Sequence, residues 1–165
     1  MATPPSEPAP GMTVEIVSFR PELAADFSRL NRDWIDRLFV MEAADHKLLD
    51  DPERQIISQG GMIFFALEGT TVLGTCAALR LDAGRFELAK MGVTPAAQGR
   101  GLGRLLGQAA IAFAAERGAR QIELLTNSSL APAITLYEKL GFEHRAMPAT
   151  SDYVRSDVYM VLPLP

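Results

Sequence analysis

The residues of this chain best suited to chemistry are Val93–Arg104, which read Val-Thr-Pro-Ala-Ala-Gln-Gly-Arg-Gly-Leu-Gly-Arg. Leu102, Leu105, Leu106, Ala109 and Phe113 follow at intervals that place them on one helix face. The start of a helix has about four backbone N–H groups without partners and a partial positive charge. Glycines there remove the Cβ atoms that would hold an anion away from those donors. Arg100 and Arg104 flank the turn and add charge, so phosphate or pyrophosphate is the expected guest. A tight turn whose glycines serve only close packing fits the same spacing. A P-loop does not, because Gly-Lys-Ser/Thr is absent. Gly101-x-Gly103-x-x-x-Gly107 loosely imitates a dinucleotide fingerprint. That motif should open a doubly wound parallel fold with an acidic residue ending the next strand, and Glu123 lies inside its strand instead.

Other candidate groups are weaker. Cys76 lies in the alternating strand Thr75–Leu79 and reads as a small buried apolar residue. His46 and His144 have no Cys or His at ligand spacing, so no metal site is expected.

The elements that must position these residues follow from periodicity and turn chemistry. Strands are expected at 13–19, 62–67, 71–81, 85–93, 121–126, 142–146 and 156–162. Leu23, Phe27, Leu30, Trp34 and Leu38 make one helix face after Pro21. A less regular helical stretch covers about 42–59, interrupted near Pro52. Further helices start near Leu102 and Leu130, stopped by Gly118 and Gly141. Residues 62–93 read as an antiparallel meander, and 85–126 as a crossover joining two parallel strands. The expected class is α+β, a single mixed and mostly antiparallel sheet with helices on both faces.

A length of 165 residues suits one domain that buries about 70% of its unfolded surface without disulfides, and a single cysteine allows none within the chain. Residues 1–11, rich in proline, read as a disordered leader with no signal-peptide character, and 12–165 as the folded domain. Sixteen Lys and Arg against twenty Asp and Glu give a net charge of −4, which argues against nucleic acid as a partner. No stretch reaches the roughly 18 apolar residues of a membrane span, and a cytoplasmic location is expected.

Two motifs together resemble one family. Gln98-x-x-Gly101-x-Gly103, after a strand ending Met91-Gly92-Val93, is similar to the acyl-CoA motif of the GNAT N-acetyltransferase superfamily. Ala133-Ile-Thr-Leu-Tyr137-Glu-Lys-Leu-Gly-Phe142 resembles its second hallmark, and the likeness covers about 13–162. The resemblance implies that acetyl-CoA is the co-substrate, with Gln98, Gly99, Arg100, Gly101, Leu102, Gly103 and Arg104 binding the pyrophosphate. It places the pantetheine arm along Met91, Gly92 and Val93, added to the sheet as a strand would be, where the two parallel strands splay. Glu87 matches a position where some members carry a catalytic glutamate, and Tyr137 matches a tyrosine used as general acid. An ordinary carboxylate, with a reference pKa of about 4.3, is a weak base and needs burial or a water relay. A phenol, at about 10, keeps its proton at neutral pH and can give it to a thiolate. Glu87 as a solvent-facing strand residue and Tyr137 as a core aromatic are the competing accounts. Alternation puts Glu87 on one face with Met91 and Val93 unless a bulge intervenes. Many members carry asparagine seven residues before the tyrosine. Leu130 stands there, and Asn127 is either a displaced pantetheine ligand or a turn or cap residue.

The acceptor implied is a primary amine of a small molecule or peptide. Its site is expected between the first helical region and the last two strands, with Trp34, Phe39, Tyr153 and Arg155 as candidates. Glu42, Asp45, Asp50, Asp51 and Glu53 either attract a cationic amine or form a solvated face, and Arg155 is a candidate for an acceptor carboxylate. A non-catalytic acyl-CoA-binding module is the alternative function. The resemblance is compatible with a homodimer.

Overall fold

A computed structural model describes residues 13–165, and the expected leader 1–11 lies outside them. The elements in chain order are β1 (Val14–Ser18), α1 (Ala24–Leu38), α2 (Ala43–Asp50), β2 (Met62–Glu68), β3 (Thr71–Asp82), β4 (Arg85–Val93), α3 (Leu102–Glu116), β5 (Gln121–Thr126), α4 (Ala131–Leu140), β6 (Glu143–Arg145) and β7 (Val158–Pro163). They form one seven-stranded sheet in the order β1-β2-β3-β4-β5-β7-β6, in which β4 and β5 alone run parallel. None of the described helices is long and apolar enough to cross a membrane.

The helices divide between the two faces. Phe27, Leu30, Ile35 and Leu49 of α1 and α2 pack with Ile63, Phe65 and Ala77 on one side. Leu106, Ala110 and Phe113 of α3 pack with Cys76, Leu88, Ile122 and Met160 on the other. The apolar face of α1 departs from expectation at its end. Leu38 closes the helix at the mouth of a cavity and is 51% exposed, while Ile35 and Asn31 are buried.

Two irregularities in β4 position the site. Thr75 stands opposite Gly92 and Ala77 opposite Ala89, so Lys90 and Met91 together face Cys76 alone. Lys90 takes φ 54°, the only non-glycine described in the left-handed region, as the first residue of a β-bulge can. The bulge reverses the alternation beyond it. Glu87 pairs with Leu79 of the α1 side, whereas Met91 and Val93 pack against the α3 side. The face sharing that plain alternation expects for Glu87 and Met91 is therefore undone.

The second irregularity is a split. β4 pairs with β5 only over Arg85–Glu87 and Gln121–Glu123. Beyond that point β5 pairs with β7 alone, and β4 continues to Val93 with its β5-side edge open.

Candidate active site

The split strands open onto a cavity of about 700 Å³. The catalytic, coenzyme and aromatic candidates from the sequence line it, with Arg155, whereas Arg100 and the acidic run Glu42, Asp45, Asp50, Asp51 and Glu53 do not.

At one end lies the glycine-rich turn. Gly99 and Gly101 have φ of 83° and 77°, where a side chain would be strained. Gly101 caps α3 without any side-chain hydrogen bond, and Leu105 N–H to Gly101 O is the first backbone bond that closes on it. The main-chain donors of the first turn are thus left facing the cavity. Gly103 and Gly107 have a different duty. A Cβ on them would stand 2.9 Å from Leu136 and 2.7 Å from Leu140, so their smallness lets α4 close onto α3. Close packing thus accounts for Gly103 and Gly107, and backbone conformation for Gly99 and Gly101. The two arginines also separate. Arg100 turns away to Glu68 at 2.5 Å, while Arg104 stays at the cavity.

Glu87 and Tyr137 reach the cavity from opposite layers. Burial pushes the Glu87 carboxyl up to about 7, opposed by the charge of Lys90 and assisted by that of Glu123 across the parallel pair. Glu123 is itself held by Arg85 at 2.8 Å and Gln121 at 2.7 Å. Tyr137 stands edge-on to Phe142, with ring centroids 6.1 Å apart, and packs on the core beside Cys76. It is core aromatic and cavity wall at once. Burial raises its hydroxyl pKa above the ordinary phenol value, so it stays protonated at neutral pH.

Asn127 has its amide engaged. It donates to the Arg155 carbonyl at 2.7 Å and accepts from the Ser129 N–H at 2.8 Å, which is the turn-forming role. Leu130, not Asn127, stands at the N-cap of α4.

The far end is built from α1, α2 and the segment 146–157. Asn31, fully buried, accepts from the Trp34 indole at 3.0 Å and donates to the Phe27 carbonyl at 3.0 Å, which fixes the ring. Gly92 gives that ring room, since a Cβ would meet it at 3.1 Å. Phe39 stands edge-on to Trp34 at 6.3 Å. Sequence reasoning missed the centre of this end. Asp45, 0% exposed, accepts from Lys90 at 2.5 Å, from both Arg155 Nη atoms at 2.7 and 2.6 Å, and from the Glu42 N–H at 2.9 Å. Burial alone would raise its pKa, but these donors outweigh it and hold the carboxyl below the usual range. Burial lowers the Lys90 pKa, with Asp45 opposing. Tyr153 accepts from Lys90 at 3.0 Å, and Glu42 accepts from the Val154 N–H at 2.8 Å. Of the acidic run, only Glu42 and Asp45 come to the site, and both are paired with cations, whereas Asp50 lies exposed beside Arg32. Arg155, expected to meet an acceptor carboxylate, lines the cavity and is also paired with Asp45 and Glu42. The signal for Lys90 was its place in step with the inward Phe86 and Leu88, where a charge calls for a buried partner.

A bipartite cavity, with main-chain donors at one end and a buried acid beside an aromatic wall at the other, has the parts of a group-transfer site. The model of the acetyltransferase (GNAT) family matches residues 24–142, and the chain belongs to that family. A mycothiol acetyltransferase of Amycolatopsis mediterranei is 50% identical over 56 residues, 34% of this chain and 19% of that protein. The match therefore spans about a fifth of that relative's length. A GNAT acetyltransferase structure from Staphylococcus aureus has a TM-score of 0.84 at 18% identity, covering 93% of this chain and all of the other. The structure of yncA from Salmonella typhimurium, which holds its cofactor acetyl-CoA, has a TM-score of 0.72 at 23% identity and covers 92% and 94%. At these identities the likeness is one of fold.

Proposed function

We propose that the protein is an acetyl-CoA-dependent N-acetyltransferase that moves the acetyl group directly to a primary amine of a small molecule or peptide. The observation that carries this reading is the meeting of Glu87 and Tyr137 from opposite layers in a cavity that ends at the glycine-rich turn. The chain's features suit the coenzyme. The uncapped first turn of α3 and Arg104 would hold its pyrophosphate. The open edge of Met91–Val93 would pair with an amide-bearing arm. Acetyl-CoA, when bound, supplies an activated acyl carbon and a thiol leaving group.

The residues divide the proton work. An amine acceptor arrives protonated and becomes a nucleophile on losing one proton. Glu87, raised to about 7 by burial, is a far better base near neutrality than an ordinary carboxylate. Tyr137 keeps its proton and is the group able to pass it to the departing sulfur. Direct transfer agrees with the state of Cys76, the only thiol of the chain, which is fully buried with its pKa pushed up.

Thiol release across an amine panel, beside calorimetry with acetyl-CoA, tests the reading. Heat on binding together with turnover of at least one amine is expected. Binding without turnover of any amine would make the protein an acyl-CoA-binding module. No heat with either the free or the acetylated coenzyme would remove the reading altogether.

A further inference from the structure

The acceptor end of the cavity offers donors but few acceptors. A lysine ammonium has three donors, and Lys90 gives two of them to Asp45 and Tyr153. The third has no partner among the described residues. The Tyr153 hydroxyl accepts from Lys90, and its own proton has no acceptor among them either. Both side chains line the cavity.

Asp45 cannot serve a ligand. One of its oxygens takes Lys90 and Arg155, and the other takes Arg155 and the Glu42 N–H. Two largely buried cations thus surround a single fully buried carboxylate. Glu42, 3.4 Å from Arg155, supplies a second carboxylate, so the two cations are balanced within the cluster. What is left over is a charged donor and a neutral one side by side at the cavity, which a carboxylate can accept from together.

We infer that the amine acceptor carries a carboxylate close to its nitrogen, received by Lys90 and the Tyr153 hydroxyl, which makes the substrate class that of amino acids with a free carboxyl group. This rests on the acetyl-transfer reading above. Glu87 stands three residues before Lys90 on β4, and the bulge turns both toward the α1–α2 side, so the base and the two donors line one cavity. Trp34 and Phe39 wall the remaining space for an apolar side chain. Arg155, tied to Asp45, holds Lys90's partner in place.

The test compares an amino acid, its amide and its decarboxylated amine, in aromatic and small side-chain series, on wild type, Lys90→Met, Lys90→Arg and Tyr153→Phe. The acid is expected to exceed the decarboxylated amine in kcat/KM by about 30-fold, the worth of one charged hydrogen-bonded contact, mostly through KM. Lys90→Met should bring that ratio to within about threefold, with Lys90→Arg recovering part of it. Tyr153→Phe, which removes a single oxygen and keeps the ring, should lower the ratio severalfold even where Lys90→Met does not fold. Equal turnover of the three wild-type substrates, or a ratio unmoved in Tyr153→Phe and in any Lys90→Met that folds, would overturn the carboxylate inference and leave acetyl transfer standing. Failure of every amine, with acetyl-CoA bound, would remove both.

Discussion

The turn end of the cavity is made of main-chain groups from one stretch, Gln98–Arg104, whereas the acceptor end is made of side-chain charges from three distant segments. Recognition by backbone needs only a conformation, which two glycines at positive φ secure. Recognition by buried charge needs every partner at once, because removing one leaves the others without compensation. The first design is local and tolerant of its surroundings, and the second is cooperative.

The largest effect should therefore come from Asp45→Ala. It strands Lys90 and Arg155 and should lower unfolding free energy by about 3–5 kcal/mol in denaturant titration. A loss below about 1 kcal/mol would show that the charged end is not cooperative. The pH dependence has a definite sign. The folded pKa of Asp45 lies below its ordinary 3.8, so its contribution is full above pH 3.8 and fades as pH falls toward the folded value. An Asp45→Asn variant should lack that acid limb.

Glu87→Gln comes next and should cut kcat/KM about 1000-fold while sparing coenzyme affinity. Wild-type kcat/KM should climb as pH rises through about 7, where the carboxyl ionises, and then level off. A variant that keeps that limb would assign the base elsewhere.

Gly101→Val probes the other end. Nothing crowds a Cβ there, so the penalty is backbone strain at φ 77°. Acetyl-CoA affinity by calorimetry should fall about 30-fold, with kcat at saturation little changed. The smallest effect separates the two arginines. Arg104→Ala should weaken the coenzyme about fivefold, and more at low salt, while Arg100→Ala, whose partner is Glu68, should do almost nothing. Equal losses would mean that Arg100 leaves Glu68 when the coenzyme binds.

This difference in construction also decided what the sequence could disclose. The bounds of β4 and β5 match expectation residue for residue, as do the stops at Gly118 and Gly141, because periodicity and glycine act locally. The donor turn, Glu87 and Tyr137 were legible for the same reason, sitting within or beside short motifs. The pairing of Lys90 and Arg155 with Asp45 was not, although Asp45 stood in the acidic run. Lys90 and Asp45 are 45 residues apart, and Arg155 lies 110 beyond Asp45. No short window of sequence contains such a pair. The bulge at Lys90 was equally hidden, since nothing in Leu88-Ala-Lys-Met91 announces a left-handed residue. Arg100 and Arg104 looked equivalent because the partner that distinguishes them, Glu68, is on another strand.

The parting of β4 from β5 has one more consequence. A mid-sheet strand that parts from its neighbour holds main-chain groups which that neighbour no longer satisfies. Amide protons on that side of Leu88–Val93 should exchange with heavy water faster than those facing β3, and slow down when coenzyme docks. The sheet would then be knit across its centre by its own substrate, and the melting temperature would report how completely the seam has closed.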